Sequence, residues 1–140
     1  MHITENWQEI EFKNIIQLYE SVGWIAYTEN PIKLKTAFEN SSYVLIVIEN
    51  NQVIGALRSL SDDVSIHYLQ DILIDPSYQR NGIARKILKM ALDRYVHVRT
   101  HLLLTDDEEK QHQFYNSLGY KNVKELTSPA LNNFVKFKEN

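Results

Sequence analysis

The chain has no cysteine among its 140 residues. That excludes disulfide staples, thiolate metal sites and a cysteine nucleophile. Proline and glycine are scarce, at three and four residues, too few for a collagen-like or linker-rich chain. No apolar run approaches the ~18 residues that cross a bilayer as a helix. Met1 to Asn6 carry neither a basic cluster nor an apolar signal core, so the expected location is the cytoplasm and no membrane partner is expected. Neither sign of charge dominates: 15 Lys and Arg stand against 18 Asp and Glu, a net charge of −3. No basic stripe stands out, which argues against a nucleic-acid partner. A mild negative balance is compatible with a cationic ligand such as an amine.

What is present suits a globular domain. Hydrophobic residues make up 44% and charged residues 24%, and the length predicts one domain over 1–140 with its own core. His2 to Asn6 reads as a short strand. Phe12, Ile15, Ile16, Tyr19 and Val22 recur at helical spacing before Gly23. Asn30-Pro31 is a capped start for a second helix, with Leu34, Ala37 and Phe38 on its apolar face. Tyr43 to Ile48, Gln52 to Leu60 and Val64 to Ile74 read as an antiparallel meander, turning at Asn50-Asn51 and Ser61-Asp62-Asp63. A helix to about His97 carries Ile83, Ile87, Met90, Ala91 and Tyr95 on one face. His101 to Thr105 is a strand and Glu108 to Leu118 a helix ended by Gly119. Tyr120 to Leu126 and Asn132 to Lys138 read as two last strands. The order β-α-α-β-β-β-α-β-α-β-β predicts an α+β, or mixed α/β, layer fold.

The segment Gln79-Arg80-Asn81-Gly82-Ile83-Ala84 carries the strongest functional signal. It follows an apolar strand and the turn Asp75-Pro76-Ser77-Tyr78, and it opens a helix. The first amides of a helix lack intrahelical acceptors and carry partial positive charge, so they suit phosphate groups. Gly82 lets backbone approach a ligand without a Cβ in the way. No G-x-x-x-x-G-K-[ST] or G-x-G-x-x-G occurs, so neither a P-loop nor a dinucleotide fold is supported. The spacing Q/R-x-x-G-x-G/A after a strand resembles the acetyl-coenzyme A loop of the GNAT-type N-acetyltransferase superfamily. The resemblance covers nearly the whole chain. It implies a central, mostly antiparallel sheet, splayed open and flanked by helices.

It also implies site residues. Gln79, Arg80, Asn81, Gly82, Ile83 and Ala84 would wrap the pyrophosphate, with Arg80 and Arg85 adding positive charge. The pantetheine arm would bond to backbone at Ile72, Leu73 and Ile74, where an amide could hold the thioester oxygen. Phe114-Tyr115-Asn116-Ser117-Leu118-Gly119-Tyr120 resembles the superfamily's second signature. There Tyr115 would protonate the departing thiolate and Asn116 would touch the cofactor. Many members carry Asn seven residues before that tyrosine; here the position is Glu108, inside the acidic run from Asp106 to Glu109.

The strand from Ile66 to Ile74 departs from the all-apolar pattern of a strand covered on both faces. Asp71 interrupts it most sharply. It reads either as a carboxylate satisfied by neighbouring hydroxyls or as a general base, direct or through water, that partial burial would strengthen. His67 is a further candidate by chemistry. Tyr68 and Gln70 would lie on the face opposite Asp71 unless a bulge intervenes. With Trp24 and Tyr27 from the loop between the first two helices, they are the candidate substrate residues; the alternative for the Trp24–Tyr27 pair is that it covers the core. The run Asp71 to Gln79, with that pair, also resembles the arylalkylamine-acetylating branch of the superfamily.

The expected activity is acetyl transfer from acetyl-coenzyme A, a co-substrate, to a primary amine of a small molecule by direct attack in a ternary complex, with no metal. The alternatives are a non-catalytic acyl-coenzyme A sensing module, or acetylation of a protein or peptide amine. Monomer and homodimer both remain open.

Overall fold

A computed structural model describes residues 1–139. The elements follow the hydrophobic pattern closely. They are β1 His2–Thr4, α1 Phe12–Ser21, α2 Ile25–Thr28, α3 Pro31–Glu39, β2 Tyr43–Glu49, β3 Gln52–Ser61, β4 Ile66–Ile74, α4 Ile83–Arg94, β5 Thr100–Leu103 and α5 Glu109–Ser117. The chain divides into two units, Met1–Leu104 and the remainder from Thr105.

The first unit is built on a five-stranded sheet in the order β1-β2-β3-β4-β5. Neighbours are antiparallel except β4 and β5, which run parallel. The β2–β3 turn is tight because Asn50 and Asn51 take positive φ, 50° and 62°, a conformation asparagine tolerates. The α3 start is the expected one: the Asn30 side chain accepts from the Lys33 amide at 3.2 Å, and Pro31 follows it.

Period-two alternation divides the sheet residues between two cores. One face carries Val44, Ile46, Ala56 and Leu73 and packs with Ile15, Leu18 and Tyr19 of α1 and Leu34 and Phe38 of α3. The other carries Leu45, Val47 and Leu57, all buried, and faces α4, whose Ile83, Ile87, Leu88 and Ala91 are buried. Gly55 lies on this second face: a Cβ there would meet Ile74 Cδ1 at 2.9 Å.

Two details of β4 shape the rest. Arg58 pairs with Asp71 but Ser59 pairs with Leu69, so Gln70 is an extra residue and makes a bulge. The pairing with β5 spans only Ile66 to Leu69. Beyond Leu69 the sheet therefore opens on that side among the described residues, which is the splay the resemblance implies.

The second unit contains α5 and a short 3-10 turn, Val123–Glu125. Here the sequence expectation fails. Neither Tyr120 to Leu126 nor Asn132 to Lys138 forms a strand among the described residues. Asn122 accepts from the Lys124 amide at 3.0 Å, and such a local bond competes with a sheet ladder. Phe134 and Phe137 are 90% and 79% exposed, so the later segment has no face to bury. The sequence also missed α2, whose four residues are too few to show a period.

His67 sits fully buried with its ring stacked on Tyr95, centroids 4.4 Å apart. Its Nδ1 lies 3.0 Å from Nδ1 of His101, the residue beside it on β5. Burial first, then the neighbouring His101, lowers His67 to about 4; burial lowers His101 as well. Folded-state values below the unfolded ~6.5 mean stability is complete above that pH and is lost as the pH falls towards 4. Urea unfolding should show a loss of at most ~3 kcal/mol from His67 between pH 7.5 and 4. His67→Phe should unfold with a flatter pH dependence than the wild type; an equal slope would remove this histidine as the cause.

Candidate active site

A charge inside a β-sheet is tolerated only when it is paired and hydrogen-bonded. The first unit buries two. Arg58 and Asp71, opposite one another on β3 and β4, are 5% and 2% exposed. Arg58 Nε donates to Asp71 Oδ2 at 2.9 Å. The Tyr19 hydroxyl of α1 donates to the same oxygen at 2.8 Å. The Tyr27 hydroxyl of α2 donates to Oδ1 at 2.7 Å. Burial pushes the Tyr19 phenol well up, and the Asp71 charge adds to that. The same two causes, in the same order, raise Tyr27.

The bulge decides which residues join this cluster. Gln70 and Asp71 both oppose Arg58, and Gln70 Nε2 donates to the Tyr27 hydroxyl at 3.2 Å. Register past the bulge pairs Tyr68 with Leu60, which puts Tyr68 on the Asp71 face. The opposite-face expectation for Tyr68 and Gln70 thus gives way to its stated exception. Trp24 packs against the core beside Tyr19 and Tyr27, with centroids at 5.9 and 6.0 Å. Of the candidate substrate residues, Tyr27 and Gln70 bond within the cluster. Sequence reasoning missed Arg58 and Tyr19. The signal was available for Arg58: a cation in the apolar run Val53 to Leu60 calls for a carboxylate across the sheet.

The loop from Asp75 to Gly82 follows β4 directly. Asp75 Oδ1 accepts from the Ser77 amide at 2.8 Å and closes the first turn. Gln79 Nε2 donates to the Ile74 carbonyl at 3.1 Å, tying the loop back to the strand. Arg80 and Gly82 both adopt left-handed φ, 68° and 75°. That is ordinary for glycine and strained for arginine. Gly82 is the N-cap of α4, with no side-chain cap, so the leading amides are left to a ligand or solvent. Successive amides in such a turn form an anion-binding concavity. The space a Cβ would take at Gly82 has nothing within 4 Å. Ile72, Leu73 and Ile74 lie on the part of β4 with no β5 partner. An uncapped, positive helix end and an unpaired strand edge fit a molecule with a diphosphate at one end and an amide-bearing arm at the other, as coenzyme A is.

In the second unit, Tyr115 is 9% exposed. Its ring meets Phe114 and Tyr120 edge-on at 5.1 and 5.8 Å. Its carbonyl accepts from the Tyr120 amide at 3.1 Å, and Gly119 makes that reversal with φ 97°. Burial raises the Tyr115 phenol. Burial and then Tyr115 push Tyr120 to about 12. Asn116 accepts from the Gly119 amide through its carbonyl.

Known proteins carry the same architecture. The family model described as an acetyltransferase (GNAT) domain matches residues 28–138. A GNAT-family acetyltransferase from Streptococcus pneumoniae, SP0256, superposes with a TM-score of 0.79 and 26% identity over 99% of this chain and 97% of that one. The ycf52 protein of Pyropia yezoensis, named as an uncharacterised N-acetyltransferase, is 28% identical over 80% of this chain and 73% of its own length. A candidate acetyltransferase of Gibberella zeae, FG08082, is 38% identical over 56% of this chain; the match takes in 45% of that longer protein. The chain belongs to the GNAT acetyltransferase family.

Removing one partner of a buried ion pair strands the other, which costs ~3–5 kcal/mol. Arg58→Met should therefore lower the urea-unfolding free energy by about that amount. A loss below ~1 kcal/mol would mean that Asp71 is not held in this way.

Proposed function

We propose that this chain is a single acetyl-coenzyme A-dependent N-acetyltransferase domain acting on a primary amine of a small molecule. The observation that carries the reading is the uncapped start of α4, reached through left-handed Arg80 and Gly82 directly after the strand that opens the sheet. Membership of the family supports it, and the family match runs through both units. Acetyl-coenzyme A supplies the activated acyl group. The amides from Asn81 to Ala84 hold its diphosphate, with charge from Arg80 and Arg85. Backbone at Ile72 to Ile74 holds the arm, and an amide there steadies negative charge on the carbonyl oxygen, an effect worth ~3 kcal/mol in other enzymes. Much of the rate comes from positioning.

Two side chains handle protons in this reading. Asp71 receives the proton lost by the amine. Tyr115 gives one to the departing sulfur; its raised phenol keeps that proton at neutral pH. The reaction asks for no metal. Trp24, Tyr27, Tyr68 and Gln70 face the acceptor.

Calorimetry with acetyl-coenzyme A and radiolabelled acetyl transfer to 2-phenylethylamine, putrescine and a short peptide test the reading. Binding and acetylation of a small amine are expected. Binding without transfer would favour a sensing module, transfer to the peptide alone would favour a protein acceptor, and absence of binding would end the proposal. Gly82→Val should weaken acetyl-coenzyme A about tenfold, ~1.4 kcal/mol, because left-handed φ strains a β-branched residue; unchanged affinity would place the diphosphate elsewhere. Tyr115→Phe should keep that affinity and lower turnover about 100-fold. Undiminished turnover would remove Tyr115 from the chemistry.

A further inference from the structure

We propose that Tyr27 is the catalytic residue that meets the acceptor amine, its phenol oxygen taking the amine's proton while its own proton passes to Asp71 Oδ1. This rests on the acetyltransferase reading and extends it. Asp71 is 2% exposed. Its Oδ2 already accepts from Tyr19 and Arg58, and its Oδ1 accepts from Tyr27. Tyr19 and Arg58 are themselves buried. Tyr27 is only half-buried. Of the three groups bonded to the carboxylate, it is the one that an arriving molecule can reach.

The phenol is oriented for the task. Gln70 Nε2 approaches its oxygen at 3.2 Å and Arg58 Nη2 at 3.5 Å, while its own hydrogen points to Asp71 at 2.7 Å. Burial and the Asp71 charge raise Tyr27, so it carries a transferable proton at neutral pH. The groups facing it are Asp71, Arg58, Tyr19 and Gln70.

The step balances. The amine nitrogen forms its bond to the acetyl carbon and the carbon–sulfur bond breaks. The nitrogen's proton moves to the Tyr27 oxygen and the Tyr27 proton moves to Asp71. The thiolate takes a proton from Tyr115. Nitrogen bonded to the acyl carbon is more acidic than a free ammonium, so a weak base suffices. Once product leaves, Asp71 returns its proton through Tyr27 to water and Tyr115 regains one from water, which closes the cycle.

The test uses whichever of the three amines turns over best. In mixtures of light and heavy water, the wild-type rate should fall along a curve that requires more than one moving proton. Tyr27→Phe and Asp71→Asn should each lower kcat at least 30-fold, keep the KM for acetyl-coenzyme A within twofold, and reduce the curve to a line. 3-Fluorotyrosine at position 27 should restore most of the rate. A Tyr27→Phe protein with wild-type kcat, or one that loses rate but keeps the curvature, would overturn the relay and leave the acetyltransferase reading standing. Independent of turnover, the ¹³Cζ signal of Tyr27 should move when the amine is added with coenzyme A present; an unmoved signal would also overturn it. If the wild type acetylates none of the amines, the underlying reading fails and the relay with it.

Discussion

The Arg58–Asp71 ion pair is the constraint on which the first unit depends. Two charges out of water are costly, and their attraction offsets that cost only when the remaining lone pairs are satisfied. Tyr19 and Tyr27 supply those bonds from two different helices. The pair therefore fixes more than the β3–β4 register. It draws α1 and α2 onto one face of the sheet and holds a four-residue helix that has little stability of its own. Arg58 also lies 5.9 Å from the ring centres of Tyr27 and Phe38, which couples the charge to the aromatic packing around it.

The opening between β4 and β5 and the left-handed loop after β4 are consecutive in the chain. One strand thus leads from the buried carboxylate to the amide-lined turn within a dozen residues. The Gln79 bond to the Ile74 carbonyl and the Asp75 amide bond to the Ile54 carbonyl, at 2.7 Å, pin the loop to the sheet at both ends of its first turn. Within that loop Arg80 holds a left-handed φ of 68°, a strained conformation for a residue with a side chain.

Much of this was legible in the sequence because periodicity reports burial. The β2–β3–β4 meander, α1, α3 and α4 all have long apolar faces, and the Asn30-Pro31 start and Asn50-Asn51 turn have specific backbone reasons. The glycine turn was legible because its context, strand then helix, is local. The network around Asp71 was not, since Tyr19, Tyr27 and Arg58 are brought to it by packing across 13 to 52 positions. The two final strands were misread because β-rich composition in 120–126 and 132–138 says nothing about whether a partner edge is available. Local capping at Asn122 was the competing signal.

Gln70 sits on the solvent side of the same strand as an unpaired extra residue. Counting pairs on either side of it, every other side chain of β4 already points to the face that regular pairing would give it. Deleting Gln70 would leave Asp71 opposite Arg58 and Leu69 opposite Ser59, with both cores undisturbed. The bend in this strand and the Arg58–Asp71 pairing are therefore separable properties, and a one-residue shortening would straighten the first at the cost of the Gln70 bond to Tyr27 alone.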